Sequence, residues 1–498
     1  MAVTVSAASR LGLGMLRRLP ADARPLIRPG TVPTGVVHLG LGAFHRAHQA
    51  VYTEAAVGAA GGDWGIVGVA PRSTAVVDAL AAQDNLFSVS TLCADGSATR
   101  VVGALSGVRH APRDPDAVVA LLADPAVRVV TLTVTEKAYQ LDPVTGELSP
   151  DAALAADLAG GAPPRTVPGL LLRGLAARAA ADAGPVAVVS CDNLPANGRR
   201  LRGMLDQAVG RAGQVPAGLV DWVAANVTCP GTMVDRIVPA STPETIEAAR
   251  RALGVTDLAA VAAEPYAQWV IEDDFPGGRP GWEHAGAVLT DDAGPWERLK
   301  LRTLNGVHSA IAYLGALAGR DTIADALEIP HLATVLRRLI AEDVAASFTP
   351  PDGVRVVDYG EQALARFGNP AMRHRTLQVA LDGSQKLPQR VLHTITDLRA
   401  GGRSARWGAL VVASWLRFAL GYADDGRPLP LQDPLAGPIR AALEQGAQTP
   451  AGAVDAVFAL REIIPAEVAE DEEVRADVVA WLTALQRHGV EATLAGAR

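Results

Sequence analysis

The spacing of apolar and polar residues divides the 498-residue chain into two parts. Up to about residue 294, short apolar runs of strand length alternate with helical segments, as in α/β folds. From residue 295 the strand signals fade, and long runs rich in alanine and leucine predict helices. The pattern therefore predicts an α/β domain at 1–294 and a mostly helical, all-α domain at 295–498.

The predicted strands of the first part lie at 35–42, 64–70, 86–92, 127–135 and 186–190, and its predicted helices lie at 43–56, 116–123, 169–182 and 199–225. The second part carries predicted helices at 297–318, 331–346, 358–367, 370–382, 404–421, 434–446, 451–463 and 471–489. Residues 1–34 are rich in proline and arginine and predict an irregular lead-in, whereas residues 141–168, rich in proline, glycine and aspartate, predict an excursion from the regular elements.

The first predicted strand ends in a turn with Gly40 and Gly42, and a predicted helix begins at Ala43. A strand, a Gly-x-Gly turn and a helix open a dinucleotide-binding unit, because glycine lets the backbone approach a pyrophosphate at the helix N-terminus. His45 stands where the usual fingerprint has a third glycine, and Arg46 follows it. On spacing alone, an ordinary tight turn is the alternative.

The second predicted strand ends in Pro71, Arg72 and Ser73. In an NAD-type unit an acidic residue near this point binds the ribose hydroxyls, whereas an arginine accommodates the 2′-phosphate of NADP. Arg72 suits either stacking on adenine or a 2′-phosphate. The end of this strand therefore allows NADP.

Polar residues also follow two later strands. Glu136 and Lys137 come after the run 127–135, while Asp192 and Asn193 come after the run 186–190. Ligands of open α/β sheets bind at the carboxyl ends of the strands, so these four residues are candidate contacts. For Asp192 and Asn193, a helix N-cap with a turn explains the pattern equally well.

Lysine is scarce in this chain. It occurs only at Lys137, Lys300 and Lys386, so 42 of the 45 basic residues are arginines. In a chain that uses arginine for nearly all of its basic residues, the three lysines are candidates for sites that need a compact amine able to lose its proton. Chance survival is the alternative for each of them.

Lys300 lies in a polar stripe with Glu297, Asn305 and His308. On an α-helix with about 100° per residue, these four side chains cover well under half the circumference. A carboxylate, an ammonium, an amide and an imidazole on one face can handle a proton and an oxygen atom. A solvated helix face is the alternative for each residue taken separately.

Charge and cysteine content exclude several classes of function. The net charge is −8 and the pI about 5.7, which argues against nucleic-acid or membrane partners. Cys93, Cys191 and Cys229 have no CxxC spacing, which argues against a structural zinc site and for a reducing compartment. No signal peptide or run of about 18 apolar residues is present, so we expect a cytoplasmic protein.

These stretches together resemble the mannitol dehydrogenase family of zinc-independent long-chain polyol dehydrogenases. The resemblance rests on residues 40–48, 133–137, 190–193, 232–239 and 269–273, and on Lys300, Asn305 and His308. It implies a Rossmann-type N-terminal domain, a helical C-terminal domain and an active site in the cleft between them. The activity it implies is reversible hydride transfer between NAD and a secondary alcohol of an open-chain sugar derivative, without a metal.

The resemblance also implies roles for single residues. Lys300 would be the catalytic base, Asn305 and His308 would bind the reacting oxygen, and Glu297 would lie near the substrate or the catalytic lysine. Because Glu297 stands one turn before Lys300, it is also a candidate to carry protons to solvent. Burial and a nearby cation lower the pKa of a lysine, which makes it a better base near neutral pH. The predicted cofactor contacts are Gly40, Gly42, Ala43, Phe44, Arg46, Arg72, Glu136, Lys137 and Asn193. The predicted substrate contacts are Asn193, Asp235, Arg373, His374 and Lys386.

The segment 373–390 bears on the substrate, because it looks more like the fructuronate reductase (mannonate oxidoreductase) branch than the mannitol branch. The mannitol 2-dehydrogenase pattern has an arginine where Gln378 stands. Arg373, His374, Arg375 and Arg390 suit a sugar-acid carboxylate, since arginine binds carboxylates in a bidentate manner. Helix capping and surface ion pairs are the alternative role for these arginines.

We therefore expect interconversion of D-fructuronate and D-mannonate, with mannitol or arabitol as the second choice of substrate. A non-catalytic nucleotide-binding protein on the same fold is the alternative of another class. The intact set of Lys300, Asn305 and His308 argues against it. We expect a small-molecule partner and, since the family contains monomers, a monomeric protein.

Overall fold

The computed structural model describes residues 9–142, 145–446 and 448–497. The chain divides into two compact units, Met1–Gly294 and Pro295–Arg498. Within the described ranges, no helix is both long and apolar enough to cross a membrane.

The first unit holds the strands. They are β1 Thr34–Leu39, β2 Gly65–Ala70, β3 Phe87–Cys93, β4 Gly96–Val102, β5 Leu105–His110, β6 Val129–Leu132, β7 Val186–Ser190, β8 Val227–Thr228, β9 Thr232–Asp235, β10 Val261–Ala263, β11 Gln268–Glu272 and β12 Val288–Thr290. Its helices are α1 Ala43–Ala47, α2 Gln49–Ala60, α3 Thr74–Ala81, α4 Pro115–Ala123, α5 Ala152–Ala159, α6 Val167–Ala180, α7 Asn197–Arg211, α8 Leu219–Asn226 and α9 Pro243–Leu253. Short 3-10 helices lie at Leu13–Arg18, Ala21–Ala23, Glu136–Tyr139 and Trp282–Ala285.

A six-stranded parallel sheet in the order β5-β2-β1-β6-β7-β8 forms the centre of this unit. The chain passes from β1 to β2 on one side and later to β6 on the other. The carboxyl end of β1 is therefore a topological switch point, where ligands of such sheets bind. Two three-stranded sheets, β10-β3-β4 and β12-β11-β9, complete the unit.

Both faces of the parallel sheet are buried. Val36 and Val129 belong to the core on one face, whereas Val37 and Val130 belong to the core on the other. Neighbouring residues of a strand point to opposite faces, so the continuous apolar runs of these strands reflect burial on both sides.

The second unit is helical, and its described residues form no β-strand. Its helices are α10 Gly294–Leu299, α11 Gly306–Leu317, α12 Ile323–Leu327, α13 Leu332–Arg338, α14 Val356–Phe367, α15 Thr376–Val379, α16 Gly383–Leu387, α17 His393–Ala400, α18 Arg406–Ala419, α19 Ala436–Gly446, α20 Pro450–Phe458, α21 Ala466–Ala469 and α22 Glu472–Gly496. π-helical segments lie at Lys300–Asn305, Leu339–Val344 and Pro388–Leu392, and a 3-10 helix at Pro370–Met372. The predicted α/β domain followed by a helical domain is confirmed.

One helix organises the core of this unit. Every residue of α11 is buried, and α18 packs against both α11 and α22. A helix that is apolar around its whole circumference belongs in the interior of a bundle. The helix that begins at α10 and continues through the π-helical segment 300–305 into α11 is therefore a central support.

Some predicted helices are broken in the structure. The predicted helix 199–225 is two helices, α7 and α8, because Pro216 and Gly218 stand between them. The predicted helix 370–382 is a 3-10 turn followed by α15. Arg373 precedes α15 and Asp382 follows it. Their φ angles are 48° and 55°, which a right-handed helix does not contain.

Candidate active site

A cavity of about 860 Å³ lies at the carboxyl ends of β1, β2 and β6. Gly40 and Gly42 line it after β1, Arg72 after β2, and Thr133 and Lys137 after β6. This is the switch point of the parallel sheet, where dinucleotides bind in folds of this kind. The cavity is therefore the candidate cofactor site of the first unit.

The structure brings four of the predicted cofactor residues into this lining, namely Gly40, Gly42, Arg72 and Lys137. The other five predicted cofactor residues do not line the cavity: Ala43, Phe44, Arg46, Glu136 and Asn193. The buried Arg46 guanidinium instead donates hydrogen bonds to the carbonyl oxygens of Gly42 and Ala259. The assignment of these five residues to the cofactor stays a prediction.

Gly40 occupies a position that only glycine fits. Its φ is +107°, and a Cβ built on it would lie 2.1 Å from the Thr133 carbonyl oxygen. Two loops that leave neighbouring strands thus approach each other at backbone distance. A side chain here would push the turn into the cavity, so the turn matches what close approach to a pyrophosphate requires.

His38, the penultimate residue of β1, holds this turn in place. Its Nε2 lies 3.0 Å from the Gly40 carbonyl oxygen and 2.8 Å from Thr133 Oγ1, and Thr133 Oγ1 donates to the same carbonyl oxygen at 2.8 Å. With the hydroxyl proton of Thr133 on that carbonyl, Nε2 carries a proton, and Nδ1 accepts from Thr131 Oγ1 at 2.8 Å. Burial lowers the pKa of His38 to about 3, so the ring stays neutral.

A second support holds the loop after β6. The Asp192 carboxylate accepts from the backbone N–H groups of Val134 and Thr135, at 3.1 and 2.8 Å, and from Tyr139 Oη at 2.8 Å. Thr135 has a φ of +74°, a strained conformation for a β-branched residue, and these bonds stabilise it. Asp192, one of the candidate ligand contacts, therefore bonds to the protein itself, and Asn193 is exposed.

The second unit contains the polar stripe expected from the sequence. Lys300, Asn305 and His308 are only 6%, 7% and 8% exposed, so the alternative of a solvated helix face does not apply to them. Glu297 is half-buried in α10. Lys300 and Asn305 bound a π-helical segment, where the hydrogen bonds run from i to i+5. The angular positions expected for a regular α-helix are therefore wrong between residues 300 and 305.

The π-helical segment packs against a second one, Pro388–Leu392. A Cβ on Gly306 would lie 2.8 Å from the Arg390 carbonyl oxygen, so glycine allows the two backbones to touch. Insertion of a π turn is common at functional sites because it re-aims side chains. Here the π-helical geometry sets the directions in which the Lys300 and Asn305 side chains leave the helix.

Buried polar atoms of this region that have no hydrogen-bond partner within the described part of the chain include Asn305 Nδ2, His308 Nε2 and His374 Nδ1. Leaving such an atom unsatisfied costs roughly 1–3 kcal/mol, so native proteins rarely do so without a reason. The His308 ring stacks on Phe367, with centroids 4.4 Å apart, and its centroid lies 4.9 Å from that of His374. The arrangement suits a ligand that brings its own oxygen atoms.

Burial keeps His308 neutral. It lowers the pKa of His308 well below the usual value, and nearby basic side chains lower it further. The pKa of His374 is lowered too, by burial and by the Lys386 ammonium. Both rings are therefore uncharged near neutral pH and can each donate one hydrogen bond.

Lys386 and Arg390 place positive charge beside these rings. Burial and the Arg390 cation lower the pKa of Lys386 to about 8. The Arg390 guanidinium bonds to Ser309 Oγ at 3.0 Å and lies 3.5 Å from the Asn305 carbonyl oxygen. In the described ranges it forms no ion pair with a carboxylate, unlike the buried Arg302, which lies 2.6 Å from Asp397.

The other predicted substrate contacts differ in their exposure to solvent and in their place in the fold. Arg373 and Arg375 are exposed, whereas His374 and Lys386 are partly buried near His308. Asp235, the remaining predicted substrate contact, is buried at the end of β9 in the first unit. The roles predicted for Arg373, His374, Lys386, Asp235 and Asn193 toward a substrate stay predictions.

Residue patterns did not reveal His38, Thr133 and Asp192 as supports of the cofactor cavity. A usable signal existed for two of them, because His38 and Thr133 are polar residues in or next to strands that are otherwise apolar. Among the described residues, no group of three or more histidine, cysteine, aspartate or glutamate side chains is arranged to hold a metal ion.

Comparison with known proteins assigns the chain to a family. Residues 34–284 match the Mannitol dehydrogenase Rossmann domain, and residues 292–486 match the Mannitol dehydrogenase C-terminal domain. The chain belongs to the mannitol dehydrogenase family. As a member of this family it is an oxidoreductase that acts on CH–OH groups, and the predicted Rossmann-type and helical domains are confirmed.

Relatives within the family differ in the substrate they are named for. The chain is 39% identical to the D-mannonate oxidoreductase of Escherichia coli K12 over 419 residues, which covers 83% of this chain and 85% of that one. It is 37% identical to the mannitol 2-dehydrogenase of Cereibacter sphaeroides over 476 residues, covering 95% and 98%. Family membership alone therefore leaves the substrate open.

A solved structure has the same architecture. The mannitol 2-dehydrogenase of Pseudomonas fluorescens, in a ternary complex with NAD and D-mannitol, matches with a TM-score of 0.83 at 34% identity. The match covers 98% of this chain and 99% of that one. The location of the active site relative to the two domains, the monomeric state and the cytoplasmic location stay predictions.

Proposed function

We propose that the protein is an NAD-dependent oxidoreductase that interconverts D-fructuronate and D-mannonate, the ketone and the secondary alcohol of an open-chain sugar acid. One observation carries the choice of substrate: the partly buried Arg390 guanidinium lies beside Asn305 and, within the described residues, has no carboxylate partner. A cation that is partly withdrawn from solvent and lacks a counter-charge is stabilised when a ligand supplies the anion.

The cavity of the first unit fits the dinucleotide. The turn at Gly40 and Gly42 leaves room for close approach of a pyrophosphate, and Arg72 and Lys137 supply cations at its rim. NAD, when bound there, supplies the carbon atom that accepts or donates the hydride. A structure of a family member with NAD, that of Pseudomonas fluorescens mannitol 2-dehydrogenase, supports this cofactor.

The support of the glycine turn leads to a prediction. In a His38→Phe variant the ring volume is retained, but the hydrogen bond to the Gly40 carbonyl oxygen is lost. We expect the Kd for NAD⁺, measured by isothermal titration calorimetry, to rise by about tenfold, as expected for the loss of about 1.4 kcal/mol. We expect kcat at saturating NAD⁺ to change by less than about threefold, since His38 supports the glycine turn and the proposed catalytic residues belong to the second unit.

Thr131→Val is the matched control for that variant. It removes the hydrogen bond on the other ring nitrogen of His38, which faces away from the turn. It should lower the free energy of unfolding in urea by roughly 1 kcal/mol, as we also expect for His38→Phe, with little effect on the Kd for NAD⁺. A His38→Phe protein that binds NAD⁺ with unchanged affinity would contradict the role given to the histidine.

Lys300 exchanges the proton of the reaction. Oxidation of a secondary alcohol removes a hydride from carbon and a proton from the hydroxyl, and a positioned base is needed for the proton. A lysine amine can serve as that base, whereas an arginine cannot lose its proton in a protein. In the reverse direction the same group, as ammonium, returns the proton to the carbonyl oxygen.

Asn305 and His308 bind the oxygen on which charge develops. Their buried Nδ2 and Nε2 atoms have no partner in the described part of the protein, and both can donate hydrogen bonds. Donors fixed in advance stabilise an alkoxide-like oxygen strongly because they need no reorganisation during the reaction. Phe367 keeps the imidazole of His308 in one orientation by stacking on it.

Arg390 and Lys386 bind the carboxylate at the other end of the sugar acid. Arg390 stays protonated at any working pH, and Lys386, with a pKa of about 8, is mostly protonated at neutral pH. Arg373 and Arg375 are exposed, so they are less suited to bind a buried carboxylate. Hydrogen bonds to charged groups are worth about 1.5–3 kcal/mol each, enough to decide between substrates.

Mannitol 2-dehydrogenation is the second candidate. It is supported by the 37% identity to the Cereibacter sphaeroides enzyme over nearly the whole chain. Gln378, which stands where the mannitol pattern has an arginine, speaks against it. A non-catalytic role is weaker still, because Lys300, Asn305 and His308 are all present and buried.

Steady-state kinetics test the choice of substrate. Oxidation of NADH is followed with D-fructuronate and with D-fructose under identical conditions, and the reverse reaction with D-mannonate and D-mannitol. We expect kcat/KM for the sugar acids to exceed that for the uncharged sugars by about tenfold or more, given the energy of a charge-assisted hydrogen bond. A preference for fructose and mannitol by the same factor would overturn the proposal.

A further inference from the structure

We infer that the cofactor cavity also accepts a phosphate on the 2′-hydroxyl of the adenine ribose, so that the enzyme binds NADP as well as NAD, with Arg72 as the residue that binds this phosphate. The inference rests on the proposed function, because it assumes a dinucleotide in this cavity. It adds a ligand and a specificity-determining residue to that function.

The end of β2 is the place where the two dinucleotides are distinguished. β2 lies next to β1 in the sheet and ends at Ala70, and Pro71, Arg72 and Ser73 follow it into the cavity lining. In NAD-selective sites a carboxylate near this point binds the ribose hydroxyls and repels a 2′-phosphate. Here the three residues after the strand contribute a cation, a hydroxyl and no carboxylate.

The Arg72 side chain is available for a ligand. Its carbonyl oxygen lies 3.1 Å from His110 Nε2 at the end of the neighbouring strand β5, which fixes the backbone. Within the ranges that the structure describes, its guanidinium forms no ion pair, and the side chain is exposed. Asp78, the carboxylate of the following helix α3, is already paired with Arg113 at 2.6 Å.

The carboxylates in the cavity lining lie on the other side. Asp142 and Asp151 follow β6, and β6 and β2 flank β1 on opposite sides. Asp142 accepts from the Thr145 N–H and Asp151 from the Leu154 N–H, each at 2.8 Å. Neither carboxylate therefore takes the place of the missing acidic residue after β2.

The chemistry of arginine fits a phosphate. Its planar guanidinium donates two parallel hydrogen bonds to phosphate oxygens, and the charge on both partners strengthens them. The alternative role of Arg72, stacking on the adenine ring, would stabilise NAD and NADP equally. The 2′-phosphate alone separates the two roles.

Isothermal titration calorimetry on the full chain tests the inference without turnover. NADP⁺ and NAD⁺ are titrated separately, and 2′-AMP and 5′-AMP serve as fragments that differ in the position of the phosphate. We expect Kd values for NADP⁺ and NAD⁺ within about tenfold of each other. In Arg72→Ala we expect NADP⁺ and 2′-AMP to bind about tenfold or more weakly, while NAD⁺ changes less than about threefold, because only the phosphate contact is lost.

Arg165→Ala is the matched control, because Arg165 is an exposed arginine of the same lining that lies on the β6 side. It should not discriminate between NADP⁺ and NAD⁺. The inference fails if the unchanged protein binds NADP⁺ more than tenfold more weakly than NAD⁺, or if Arg72→Ala weakens both equally. In either case NAD⁺ still binds and the proposed function stands, whereas loss of NAD⁺ binding to the unchanged protein contradicts the proposed function itself.

Discussion

Replacement of Lys300 by methionine is expected to lower kcat for D-fructuronate reduction by about 10²–10⁴-fold, the usual contribution of a positioned general acid or base. Methionine has a similar length and tolerates burial, so the helix and its packing are retained. The amine is removed, and the substrate oxygen has no proton donor. Stopped-flow and steady-state measurements with NADH report kcat, and calorimetry shows whether NAD⁺ binding is retained.

Two further variants make the result specific. Lys300→Arg keeps the positive charge but cannot exchange a proton, so we expect a loss close to that of Lys300→Met. Arg298→Met changes an exposed residue of α10 two positions earlier, and its kcat should stay within about twofold of the unchanged enzyme, as for most surface substitutions. A Lys300→Met enzyme with more than a tenth of the original turnover would eliminate the proposed role of the lysine.

Replacement of Arg390 by methionine is expected to convert the enzyme from a sugar-acid to a weak polyol enzyme. The charged contact to the substrate carboxylate is lost, so kcat/KM for D-fructuronate should fall by about 10- to 150-fold, equivalent to about 1.5–3 kcal/mol. D-Fructose carries no carboxylate, and its kcat/KM should change by less than about threefold. The ratio of the two kcat/KM values is the measurement.

Arg390 also bonds to Ser309, so the loss of that bond must be separated from the loss of the charge. Ser309→Ala removes the hydrogen bond and leaves the guanidinium, and it should lower both kcat/KM values alike. In the unchanged enzyme the second cation, Lys386, loses its proton as the pH rises above about 8. KM for D-fructuronate of the unchanged enzyme should therefore rise between pH 7 and 9, and should rise less in Arg390→Met, because loss of the Arg390 cation raises the pKa of Lys386. An equal loss with both substrates in Arg390→Met would remove the basis for the sugar-acid proposal.

Local patterns were sufficient for the architecture. The alternation of apolar runs and helical segments, and its end near residue 294, predicted the α/β domain and the helical domain that follow each other in the structure. The turn at Gly40 and Gly42 was also recognisable, because a strand, two glycines and a helix stand in direct succession. Such features depend on neighbours in the chain, so a single sequence contains them.

The sequence identified the candidate catalytic residues but did not give the directions of their side chains. The spacing of Lys300, Asn305 and His308 matched the family, yet the assumption of a regular α-helix missed the π-helical segment. Gly306, directly after that segment, lets a second π-helical segment approach to backbone contact at Arg390. That contact joins residues more than 80 positions apart in the chain, so no periodicity within the helix reports it.

The sequence by itself thus determined the two domains, the glycine turn and the identity of the lysine, asparagine and histidine. Only the tertiary structure decided which charged residues are free to meet a ligand. It left Arg390 partly buried and, among the described residues, without an ion pair, whereas Arg373 and Arg375 are exposed, and it turned Asp192 toward the backbone of the loop after β6. Burial and partners depend on contacts between distant segments, and those contacts set the energy of a charge far more than its position in the chain does.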